Sequence, residues 1–252
     1  MQADGRELPV YRVRHAVGAI RVDGSLDEPS WEKAPRIREF RHIYDPARVP
    51  RYPTAAALVW DAARLYVAFE CVDPEPWGSF RRRDDRLWEE EVVEVFLDPD
   101  GDGRNYAELE VSPNNVVVDL LLPRPRADVE PALRWDIAGL QTAVRRTDTG
   151  WTAEIAIPWA SLAAAGATAP PRAGVRWRAG LYRIKRPGGP AKADEIARLE
   201  RELRGAAFGE RSAIEQRLRA LRDGDEYTAW SLTRAERGFH DPERFGYVEF
   251  VR

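Results

Sequence analysis

The sequence predicts an all-β chain: a two-sheet antiparallel β-sandwich with one helical hairpin inserted late. Short apolar or period-two runs recur between clusters of Gly, Pro, Asp and Asn. About ten runs at this spacing suit a sandwich or barrel. One stretch alone, 193–222, changes to helical spacing. With 252 residues the chain is long enough for one large all-β domain. Residues 1–252 are therefore expected to form a single unit, with the insertion at about 190–225.

The expected strands follow in order: 10–14, 55–60, 64–72, 92–97, 106–112, 116–122, 140–146, 151–158, 176–185, 228–231 and 247–251. Asp61-Ala-Ala-Arg64 is a tight connection between two of them. Asp148-Thr-Gly150 closes a hairpin around VRRTDTGWTAEI. Short helical turns are expected at 28–34 and 159–164, the second opened by Pro158. In the insertion, Ile196, Leu199 and Leu203 form one apolar stripe, and Ile214, Leu218 and Leu221 another. Gly205 and Gly209 flank a break at Phe208. Two helices packing their stripes against each other are expected, rather than a lid or a partner-binding arm.

Composition excludes several classes. A formal net charge of -3 gives no electrostatic footprint for nucleic acid. No run approaches the apolar length of a membrane span. Cys71 is the sole cysteine, so no intrachain disulfide forms; in LYVAFECV it reads as a buried, inert thiol. The start, MQADGRELPV, lacks the apolar core of a signal peptide. GxSxG, HExxH, a phosphate loop and Cys/His metal spacing are all missing, so no enzyme is expected. Acids are plentiful, including Asp84, Asp85, Glu89, Glu90 and Glu91. Adjacency in sequence does not create the two separated carboxyl groups that a glycosidase needs.

The chemistry concentrates in WEEEVVEVFLDPDGDGRNYAELEVSPNNVVVDL, from Trp88 to Leu120. Asp98, Asp100 and Asp102 alternate before Gly103, a spacing that lets carboxylates converge on a hard cation. A complete EF-hand is excluded, because its twelfth position is Leu109. A β-loop calcium site using Asp98, Asp100, Asp102 and Asn105 stands beside an ordinary polar turn. Trp88 and Glu94 suit a sugar site. An aromatic face matches the C–H face of a pyranose, and charged groups fix its hydroxyls. Trp77, in DPEPWG, and Arg183, at a strand end before the insertion, are further candidates. Glu94 has an alternative partner in any neighbouring arginine. Trp31, Trp60, Trp151, Trp159 and Trp177 read as core.

Five segments, IRVDGSLDEPSWEKA, WDAARLYVAFECVD, WEEEVVEVFLDPDGDGRNYAELEVSP, TGWTAEIAIPWASL and FHDPERFGYVEF, resemble carbohydrate-binding module family 9 in content and order. They cover nearly the whole chain outside the helical insertion. The resemblance implies a β-sandwich that grips the end of a plant-type glycan or oligosaccharide between two aromatic rings. It also implies structural calcium, no organic cofactor, and an extracellular or periplasmic setting. Association with a glycan-degrading enzyme, such as a xylanase in polysaccharide catabolism, follows from the same likeness. Trp88 stands at the place of the first ring, and Phe239, before His240-Asp-Pro-Glu-Arg-Phe-Gly246, at that of the second. Glu94 matches a hydroxyl-binding carboxylate. Near the family's sugar-binding arginine this chain carries an acid, Glu110, which takes that place among the candidate sugar contacts.

Two alternatives differ in class. Similar sandwiches carry haem in periplasmic electron transfer, but axial ligands here reduce to Met1, Lys33, Lys185, Lys192 and the histidines, His240 foremost. A protein-interaction module acting through the helical insertion is the other.

Overall fold

The computed structural model describes residues 7–252; residues 1–6, and Met1 with them, lie outside the described residues. The strands are β1 (Val10–His15), β2 (Arg41–His42), β3 (Thr54–Trp60), β4 (Arg64–Val72), β5 (Val92–Asp98), β6 (Tyr106–Val111), β7 (Val117–Leu122), β8 (Gln141–Thr147), β9 (Gly150–Pro158), β10 (Arg176–Lys185), β11 (Glu226–Ala229) and β12 (Gly246–Phe250). The helices are α1 (Pro29–Lys33), α2 (Val129–Ala132), α3 (Gly189–Gly205) and α4 (Phe208–Arg222). The sheet order is β7-β6-β5-β10-β12-β1-β3-β4-β9-β8, with β11 beside β10 and β2 beside β11.

The antiparallel two-sheet expectation holds only in part. Two antiparallel ladders are present, but β1 joins them into one curled, mixed sheet. Its residues 10–13 pair in parallel with 247–250, and Arg14 and His15 pair in parallel with Val59 and Trp60. A strand that lends one end to each ladder carries no local sign of direction, so alternation alone could not reveal it.

The curl folds apolar faces together. Val93, Val95 and Leu97 of β5, Ala179 and Leu181 of β10, Leu65, Val67 and Phe69 of β4 and Ile155 and Ile157 of β9 form one core. The five tryptophans expected in the core are all at most 8% exposed. A second cluster covers the opposite face of β5, β6 and β10, with Val92, Phe96, Tyr106, Tyr182 and Ile184. Leu87, Ala132, Phe239 and Phe245 roof that face, so all seven residues of β5 are buried despite their alternation. The roof leaves one gap, described below.

Turns follow their side chains. The Asp61 carboxylate accepts from the amides of Ala63 and Arg64 at 2.7 and 2.8 Å, setting the β3–β4 connection. The insertion is the expected helical hairpin, with Leu199 and Leu218 buried. Glu195 pairs with Arg217 across it at 2.9 Å. No helix among the described residues is long and apolar enough to cross a membrane.

Candidate functional site

A cleft of about 370 Å³ opens on the roofed face of the β7-β6-β5-β10 ladder. Register builds its floor. Tyr182 lies opposite Glu94, Glu94 opposite Glu110, and Glu108, two residues before Glu110, opposite Phe96. Period-two alternation therefore sends Glu94, Glu108 and Glu110 to one face, and all three line the cleft. Each is at most 4% exposed. Burial pushes the carboxyls of Glu94 and Glu110 well above their usual range, and mutual repulsion adds to it. Glu108 is raised by burial too, against the pull of His240.

Aromatic walls stand over these acids. Trp88, Tyr44, Tyr227 and Phe239 line the same cleft. Phe239 stacks on Tyr182 with centroids 4.3 Å apart and planes 14° apart, so Tyr182 covers one of its faces. Tyr44 meets Tyr227 edge-on at 5.5 Å. His240 brings Nδ1 to 3.0 Å from the Tyr106 hydroxyl and 3.8 Å from Glu108 Oε2.

Trp88 is held from the root of the helical hairpin. Arg186 donates to the Trp88 carbonyl at 3.1 Å and to Asp225 at 3.0 Å. Lys192 reaches the other oxygen of Asp225 at 2.7 Å. The insertion thus buttresses one wall, beyond packing its own stripes.

Four of the expected sugar-site residues, Trp88, Phe239, Glu94 and Glu110, converge in the cleft. Two do not. Trp77 lines a separate hollow beside the hairpin, its indole donating to the Arg186 carbonyl at 2.7 Å. Arg183 shares the inward side of β10 with Leu181, where it grips Asp73 at 2.9 Å. Its sequence position near the strand end hid the fact that odd-numbered residues there face the core. Glu108 was missed although the alternation in YAELEV marks it. Tyr227 comes from β11, one residue before the strand expected at 228–231, and Tyr44 from the segment just after β2; neither position is marked as facing a site by its local pattern.

The Asp98, Asp100 and Asp102 carboxylates each offer an oxygen within 4.8 Å of the others. Asp98 also accepts from the amides of Gly101 and Gly103, and Asn105 closes the loop at φ +47°. Among the described residues considered as axial ligands for haem, only His240 lines the cleft; Lys185 and Lys192 are committed to ion pairs.

A family model described as carbohydrate family 9 binding domain-like matches residues 22–178. The chain belongs to this family. Among solved structures, the family 9 module resembles a carbohydrate-binding module family 9 from Caldicellulosiruptor kristjanssonii. In the cellotriose complex the identity is 16%, covering 96% of this chain and 94% of that one, with a TM-score of 0.61. In the glucose complex it is again 16%, covering 96% of each, with a TM-score of 0.59. At that identity the likeness is one of fold. An extracellular protein of Arthroderma benhamiae is 28% identical over 152 residues, which are 55% of this chain. The match spans 66% of that relative's length.

Proposed function

We propose that this family 9 module is a non-catalytic binder of glycan ends, with Trp88 and Phe239 as the aromatic elements and Glu94 and Glu110 as hydroxyl acceptors. The carrying observation is convergence: residues 151 positions apart in sequence meet over one acidic floor. Apolar ring faces and charged acceptors are the two halves of sugar recognition. The solved relatives bound to cellotriose and glucose support a β-linked, plant-type ligand, with xylan as a further candidate. An extracellular setting, by analogy with the Arthroderma protein, and a glycan-degrading partner belong to the same proposal. So does structural calcium on Asp98, Asp100, Asp102 and Asn105, which would stiffen the β5–β6 loop away from the ligand.

Titration calorimetry with glucose, cellotriose and xylotriose tests the reading. Saturable binding to the wild type, weakened in a Trp88→Ala variant that keeps its fold by circular dichroism, supports it. No binding to any of these or on a wider glycan array sinks it.

A further inference from the structure

The cleft floor has an electrostatic property that sugar binding alone does not explain. Glu94, Glu108 and Glu110 each offer a carboxylate oxygen within 4.8 Å of the others, inside the protein. Three oxygens within 4.8 Å of one another share a point no more than about 2.8 Å from each, within reach of calcium–oxygen distances of roughly 2.3–2.6 Å.

Other buried acids in this chain have their charge answered. Asp73 has Arg183 and Lys185, and Asp119 has Arg83 and the Ile137 amide. Glu154 has the Trp31 indole and the amides of Asp23 and Gly24. Among the described residues no lysine or arginine pairs with the three floor glutamates; the ring nitrogen that comes within 4.0 Å of one of them is His240 Nδ1, 3.8 Å from Glu108. Oε2 of Glu108, Oε2 of Glu110 and the hydroxyl of Tyr182 are buried with no hydrogen-bond partner. Tyr182 stands opposite Glu94 in the ladder. Unsatisfied buried acceptors of this kind are costly and call for an explanation.

We propose that Glu94, Glu108 and Glu110 form a divalent-cation site in the floor of the cleft, separate from the Asp98–Asp102 loop. An all-oxygen, carboxylate-rich set suits a hard cation of the calcium or manganese class. Three protein ligands leave coordination positions open toward the aromatic walls, where vicinal sugar hydroxyls would complete the sphere. That last role rests on the sugar-binding reading; cation binding by the triad does not.

The test is calorimetry of the full chain with calcium chloride and with manganese chloride, after dialysis against chelator. The variants are Glu94→Gln, Glu110→Gln and the loop double variant Asp100→Asn/Asp102→Asn. The expected result is a saturable site at least tenfold weaker in each glutamine variant and retained in the loop variant. A calcium-dependent rise in melting temperature should disappear in Glu110→Gln, which keeps the shape and removes an ionisable ligand oxygen. Equal binding by wild type and Glu110→Gln, or metal heat lost only in the loop variant, overturns the proposal. Glucose and cellotriose titrations with and without calcium then separate the two readings. Sugar binding that survives chelation unchanged refutes the bridging role. Absence of sugar binding under both conditions refutes the sugar reading, while the metal titration still decides the triad.

Discussion

Asp73→Asn probes the buried charges that tie the two ladders together. Asp73, at the end of β4, takes Arg183 Nη2 at 2.9 Å and Lys185 Nζ at 2.6 Å, both from β10. The substitution keeps the shape and removes the charge. A hydrogen bond between charged groups is worth roughly 1.5–3 kcal/mol. Arg183 retains the carbonyls of Tyr52 and Val72 at 3.1 Å, and Lys185 retains Glu91 at 2.6 Å. The expected loss is that of a broken buried pair, about 3–5 kcal/mol. Glu91 supplies a second signature. Burial, then repulsion from Asp73, pushes its carboxyl up from 4.5 to about 8. The folded state therefore keeps a proton that the unfolded chain has lost, so stability falls as pH rises from 4.5 to 8. Removing the Asp73 charge lowers the Glu91 value and flattens that fall. Urea unfolding should show the deficit of Asp73→Asn largest near the lower end of that window and smaller near its upper end. A loss below about 1 kcal/mol, or a deficit that grows with pH, would refute this account.

Other expectations concern the cleft and its supports. Trp88→Ala should weaken glucose or cellotriose binding by about 1–2 kcal/mol with the β signal retained, measured by calorimetry and circular dichroism. Arg186→Met should weaken binding in the same direction, since it releases the Trp88 carbonyl and Asp225; an unaltered affinity would show that the hairpin root does not position the ring. Replacing residues 193–221 with a short Gly-Ser link should leave far-ultraviolet β signal and sugar affinity intact, because Arg186, Lys192 and Asp225 remain. Burial pushes the Cys71 thiol up to about 12, so a thiol reagent should label it only on unfolding.

Alternation made most of the strands legible, because a pleated strand buried on one side writes period two into the chain. The change to helical spacing exposed the hairpin equally well. Trp88 and Phe239 are different: no local pattern joins residues so far apart, and their pairing was visible only through resemblance to a family. Arg183 shows the limit of reading position without facing. It ends a strand near the site, yet its neighbours in register, Val93 and Thr228, leave it on the inward side with Leu181. The parallel seam at β1 was illegible because strand direction is decided by distant partners.

That seam also sets the order of assembly. Val10 pairs with Tyr247, a contact that closes nearly the full length of the chain into one loop. Contacts of such sequence separation form late and slow the search for the native state. During synthesis β1 must wait, with one edge unpaired, until β12 has been made. Phe239 arrives only seven residues before that strand, so the Phe239 wall of the cleft is completed in the same late event that seals the fold. Until that moment the cleft is open on the side that Phe239 later closes.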